Sequence, residues 1–217
     1  MGRRDRQAGT FSSPLFSRFL YPRFKEASIK HGEPERRRRL LDGVTGKVIE
    51  IGAGDGMNID YYPPSVNELL AVEPEDTLRA KAAEKAPTAP FPVRVEPGFA
   101  DRLPAEDDSF DVAVCSLVLC SVDDQGAALA EIQRVLRPSG ELRFYEHVRG
   151  HTRALIGAQH LITPVWSRLG GGCHINRDTE TAIEQTGFTI GRIDRFVLAP
   201  SLLDRLGGDH IMGVARA

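Results

Sequence analysis

The chain has 217 residues, 41% of them hydrophobic, which is enough for one domain with a real core and too little for two of ordinary size. No apolar run approaches the roughly 18 residues of a membrane span, and the net charge of -2 does not mark a nucleic-acid binder. Three cysteines, Cys115, Cys120 and Cys173, lack C-x-x-C spacing and support neither a disulfide framework nor a zinc site, so no metal is expected.

Residues 1–42 carry eleven Arg or Lys against five Asp or Glu. Such a stretch could meet an anionic membrane, but Glu33 to Arg39 (EPERRRR) reads as a helix with a solvated face, and that reading is favoured over membrane contact. The opening MGRRDRQAGTFSSP lacks the apolar core of a signal peptide, so a cytoplasmic location is expected. Arg exceeds Lys 23 to 5, a bias that goes with GC-rich coding and a bacterial source. Phe16, Phe19, Leu20 and Phe24 fall at helical spacing despite Pro22. Residues 1–43 are therefore expected to form a helical extension, core-packed or lid-like, ahead of a main domain at 44–217.

The most informative segment follows. Val48 to Gly56 (VIEIGAGDG) runs strand-forming residues into Gly52, Gly54 and Gly56, whose missing Cβ atoms let the backbone turn sharply and face a ligand with its amides. A dinucleotide fingerprint needs a glycine at the sixth position, where this chain has Met57. Beyond it, strand and helix signals alternate, which implies an α/β fold with a parallel sheet. The expected strands are Lys47 to Ile51, Glu68 to Val72, Pro92 to Val95, Phe110 to Cys115 and Glu141 to Glu146. Crossover helices are expected at Asp76 to Ala86 and at Asp123 to Leu136, the latter with Ala127, Ala130, Ile132, Val135 and Leu136 on its apolar face. Pro138-Ser-Gly140 reads as a turn, and residues 147–176 as a long connection. Arg177 to Gln185 then reads as a helix, followed by an antiparallel hairpin of Thr189 to Val197 and His210 to Arg216.

In such a sheet the ligand sits beyond the C-terminal strand ends. Glu73-Pro74 stands there after the second strand, where a carboxylate can hold both hydroxyls of a ribose, or simply cap the next helix. After the third strand, Asp101 could accept from an adenine amino group while Ala100 leaves room for the ring; the alternative is a solvated loop acid. The fourth strand ends in Cys115-Ser116.

With these motifs in order, E-x-G-x-G-x-G from Glu50, LPAEDDSFDVAVCSLVL and EIQRVLRPSGEL, the chain resembles the class I S-adenosylmethionine (SAM) methyltransferases, in the branch of type 11 and ubiquinone or menaquinone methyltransferases. LVLCSV at Leu117 to Val122, EHV at Glu146 to Val148, and Gly172-Cys173 followed by Arg177 resemble the thiol S-methyltransferases in particular. That family opens on a longer hydrophobic segment than this one. The resemblance implies a Rossmann-like three-layer sandwich, with a seven-stranded, mostly parallel sheet of order 3-2-1-4-5-7-6 and an antiparallel last strand. It implies SAM as methyl donor, S-adenosylhomocysteine as product and a small-molecule acceptor. Gly52, Gly54, Gly56 and Met57 would form the turn under the methionine portion, with Glu50 supporting it and the peptide groups of Cys115 and Ser116 holding the ammonium. Glu73 and Pro74 would meet the ribose, and Ala100 and Asp101 the adenine.

For the acceptor, Phe19, Leu119, Cys120, Trp166, Cys173 and His174 are candidate wall residues, and a thiol or hydroxyl is the preferred acceptor atom. His147, just past the fifth strand, is the candidate general base, with a structural histidine equally in view. The rival readings are a quinone-type or lipid C- or N-methyltransferase, a SAM-binding protein without catalysis, and more remotely a dehydrogenase.

Overall fold

The computed structural model describes residues 19–198 and 206–217, so Phe16 and the basic stretch before it lie outside the described residues, as does the side chain of Phe24. Strand β1 (Gly46–Ile51) takes the centre, with β2 (Val66–Val72) and β3 (Val93–Glu96) on one side and β4 (Phe110–Ser116), β5 (Leu136–His147), β7 (Asp209–Arg216) and β6 (Thr189–Val197) on the other. The first five strands pair in parallel, while β7 runs antiparallel between β5 and β6. This is the expected seven-stranded order.

The strands are apolar on both faces because both are covered. Ile49, Ile51, Leu70, Val72, Ala113 and Cys115 pack in one cluster with α4 (Gln125–Val135), and the alternating residues Val48, Leu69, Val112 and Val114 pack in the other with Leu40 and Leu41 of α2 (Glu33–Leu41). Helix α3 (Asp76–Lys85) links β2 to β3, its Glu75 N-cap side chain accepting from Leu78 N at 2.7 Å. Because the parallel strands run together, Ile51, Val72, Ser116 and His147 end on one edge of the sheet, and the loops that follow meet there.

Four details depart from the sequence reading. The buried face of α4 is Ala128, Leu129, Ile132 and Val135, while Ala127 and Ala130 are exposed. The Pro138-Ser-Gly140 turn is a bulge inside β5, since Leu136 pairs with Phe110 and Glu141 already with Val112, and Ser139 takes φ 67°. The long connection holds a seventeen-residue helix, α5 (Arg153–Leu169), started by Thr152 and continuing through Pro164. Helix α2 does not present a purely solvated face: Glu33 and Arg37 are buried. Helix α1 (Tyr21–Lys30) begins with Pro22 in its first turn, where a missing N–H costs nothing. No helix among the described residues is long and apolar enough to cross a membrane.

Candidate active site

The turn after β1 needs its glycines. Gly52 and Gly54 take φ +65° and +59°, and a Cβ on Gly52 would stand 2.6 Å from Val118 Cγ2. Glu73, at the end of β2, clamps this turn: its Oε2 accepts from Gly54 N at 2.8 Å and its Oε1 from Glu75 N at 2.9 Å. Burial raises the Glu73 pKa, and these two N–H bonds work against that rise. Each oxygen keeps a further lone pair that can accept a hydroxyl.

Below the turn, Glu50 is buried and accepts from Asn58 Nδ2 at 2.8 Å and Tyr62 Oη at 3.0 Å. Burial pushes its pKa up to about 7, against the pull of those two hydrogen bonds and of Arg37. Arg37 donates to Asn58 Oδ1 at 2.6 Å and lies 2.9 Å from Glu33 Oε1, while Arg36 donates to Tyr145 Oη at 3.0 Å. A polar chain thus runs from α2 to the floor of the glycine turn.

A cavity of about 1190 Å³ opens over this edge of the sheet, lined from Gly52, Gly54 and Glu73 through Ala100 and Asp101 to Cys120, His147, Trp166 and Cys173. Tyr21 and Lys25 of α1 also line it, and both bind Asp55 of the glycine turn, Tyr21 Oη at 3.0 Å and Lys25 through an ion pair. On its wall the buried Ser116 Oγ has no hydrogen-bond partner among the described residues. An orphaned hydroxyl beside a glycine turn and a two-oxygen acceptor suits the polar end and ribose of SAM.

At the far end, Glu146 receives the amides of Val118, Leu119 and Cys120 at 3.0, 2.9 and 3.0 Å, which fixes the loop after β4. The Cys120 and Cys173 sulfurs are 3.6 Å apart, and His147 Nδ1 lies 3.8 and 3.6 Å from them. The shared hydrogen bond holds the Cys173 thiol well below its usual range, with His147 adding to the effect, and pushes the Cys120 thiol up. Burial pulls His147 down, but Cys173, Glu146 and Glu33 together hold the imidazole above its ordinary value. His210, its ring tilted 43° to that of His147 at a centroid distance of 4.3 Å, is pushed down to about 3 by burial.

Residues 49–144 match the methyltransferase domain family of type 11. The thiol S-methyltransferase TMT1B of Homo sapiens is 36% identical over 182 residues, spanning 81% of this chain and 73% of that protein. The chain belongs to the class I SAM-dependent methyltransferases. The demethylmenaquinone methyltransferase of Renibacterium salmoninarum is 29% identical over about half of each chain, 52% and 48%. A SAM-dependent methyltransferase structure from Mesorhizobium loti superposes with a TM-score of 0.63 at 21% identity, covering 86% of this chain and 98% of that one, which shows the shared fold.

Within this methyltransferase the expected site residues separate into three groups. Glu50, Gly52, Gly54, Met57, Glu73, Pro74, Ala100, Asp101, Ser116, Cys120, His147, Trp166 and Cys173 all line the one cavity. Others stand elsewhere. Leu119 is fully buried in the core, with only its backbone tied to the site, and the Cys115 side chain packs in the same cluster. A Cβ on Gly56 would point at Ile59 and Ala82, so this glycine serves the packing of α3. Phe19 is 57% exposed and lies off the cavity wall, as does His174, whose amide donates to Cys120 O at 2.8 Å. The sequence reading passed over Asp55 with Tyr21 and Lys25, and the Glu33, Arg36 and Tyr145 group. It also left Glu146 without a role, although a lone acid ending the apolar run FYE was a usable signal.

Proposed function

We propose that this methyltransferase transfers the methyl group of SAM to the sulfur of a small apolar thiol. The similarity to the thiol S-methyltransferase TMT1B over most of both chains carries the reading. The cavity supports it, since a single space joins the Glu73 end to the Cys120, His147 and Cys173 end, with apolar wall from Leu117, Val118 and Ile162 beside them.

When bound, SAM supplies an electrophilic methyl on a sulfonium, and the displacement needs an aligned nucleophile and little water. Gly52, Gly54, Glu73, Ser116 and Asp101 would hold the donor. Helix α1, fastened to Asp55, would serve as a lid over it. The acceptor would lose its proton at the Cys120, His147 and Cys173 corner, where a thiol pKa near 8.5 is within reach of the polar groups that a phenol or amide would strain to use. Comparing kcat/KM for matched aryl thiol, phenol and quinol acceptors tests this. Preference for the thiol by tenfold or more is expected; preference for the quinol would move the protein to the menaquinone branch.

A further inference from the structure

Cys120, His147 and Cys173 come from the loop after β4, the last residue of β5 and the turn after α5, and nothing in their sequence spacing announces a cluster. Their sulfur to sulfur distance is 3.6 Å, and the two sulfur to Nδ1 distances are 3.6 and 3.8 Å. A tetrahedral zinc ion, with bonds of about 2.3 Å to sulfur and about 2.0 Å to nitrogen, holds two sulfurs about 3.8 Å apart and each about 3.5 Å from the nitrogen. The triangle in the protein comes within about 0.3 Å of those dimensions on every side.

Backbone contacts hold each corner in place. Cys120 is fixed through its amide by Glu146, and its carbonyl accepts from His174 N at 2.8 Å, which ties it to the Cys173 turn. His147 is pinned by the pairing of β5 with β7 opposite His210. All three residues line the same end of the cavity, which leaves space beside the triangle for a fourth ligand. Two thiolates would balance a divalent charge, and two sulfurs with an imidazole select a thiophilic ion over calcium or magnesium.

We propose that Cys120, His147 and Cys173 form a zinc site whose open fourth position takes the sulfur of the acceptor thiol. This deepens the thiol reading and rests on it for the acceptor. On binding, the acceptor S–H bond breaks and its proton passes to solvent. A sulfur lone pair then forms the new S–C bond while the sulfonium S–C bond breaks, its electron pair staying on the departing S-adenosylhomocysteine. The neutral thioether is the poorer ligand and leaves. No electron is gained or lost by the ion.

The test is titration of the full, phosphine-reduced and chelator-dialysed chain with Co²⁺ as spectroscopic stand-in, followed by displacement with Zn²⁺. Saturation at one ion per chain is expected, with tetrahedral ligand-field bands and a thiolate charge-transfer band that falls by about half in Cys120→Ser or Cys173→Ser; an aryl thiol should shift the ligand-field bands. No stoichiometric binding, or binding unchanged in the two serine variants, would overturn the site. Retained affinity for S-adenosylhomocysteine certifies that a variant is folded. Where one is not, protection of both thiols in the unaltered chain from disulfide-exchange labelling by Zn²⁺ decides, and unprotected thiols overturn the proposal. Thioether formed at full rate by metal-free protein refutes the zinc site alone, whereas stoichiometric metal without methylation of any thiol refutes the acceptor reading alone.

Discussion

Glu146 holds Cys120 by its backbone: Oε2 accepts from Cys120 N at 3.0 Å, while Oε1 accepts from Val118 N and Leu119 N. Burial raises its pKa, and the three N–H bonds oppose that rise. Glu146→Gln replaces one accepting oxygen with an NH₂ that faces a donor, so at least one buried amide loses its partner. A loss of about 1–3 kcal/mol in urea unfolding is expected, with kcat reduced and affinity for S-adenosylhomocysteine little changed. An unchanged midpoint would show that the loop after β4 is held by other contacts.

The donor end rests on Glu73. Glu73→Ala removes the clamp on Gly54 N and, with it, the acceptor proposed for the ribose. Calorimetry with S-adenosylhomocysteine should show a loss of about 2 kcal/mol or more, and equal affinity would remove Glu73 from the site.

Glu50 gives the protein a pH dependence of known sign. Its pKa is about 7 in the folded chain against an ordinary 4.5, so the folded state binds the proton more tightly than the unfolded one. The stabilisation from that proton is full below the unfolded value and is lost as pH rises through the folded one. Stability of the unaltered chain should therefore decline from about pH 4.5 to 7 relative to Glu50→Gln. Parallel curves of chemical unfolding against pH for the two proteins would contradict this origin.

Asp55 is the anchor of α1 over the cofactor turn, through Tyr21 and Lys25. Asp55→Asn weakens both contacts. Faster amide exchange confined to Tyr21–Lys30, with the central strands unchanged, is the expected result, together with a higher KM for the acceptor if the helix acts as a lid. Unaltered exchange would mean that α1 is held by its packing on α2.

His147→Ala should cut turnover and leave affinity for S-adenosylhomocysteine intact, because the imidazole stands beside Cys120 and Cys173 at the end proposed for the acceptor. Unaffected turnover on a confirmed acceptor would remove it from the chemistry.

The parts of the candidate site that were legible in the sequence are those under a local constraint. Gly52 and Gly54 must be glycine because of their φ and the approach of Val118, and Glu73 sits where a strand must end. The Cys120, His147 and Cys173 cluster was not legible because it is assembled from a loop, a strand end and a turn far apart in the chain, with no spacing motif. Helix α5 hid for another reason: Leu161, Val165 and Leu169 are exposed, and Pro164 interrupts the pattern, so its periodicity did not mark a buried face. The burial of Glu33 and Arg37 escaped because a charged helix reads as solvated until its partners, Asn58 and Tyr145, are seen to arrive from distant strands and turns.

The most direct measurement is a single turnover with methyl-deuterated SAM and an aryl thiol, read by mass spectrometry. The account predicts one labelled thioether and one S-adenosylhomocysteine per chain. S-adenosylhomocysteine without the thioether, or label found on the oxygen or carbon of a matched quinol while the thiol is untouched, would contradict it.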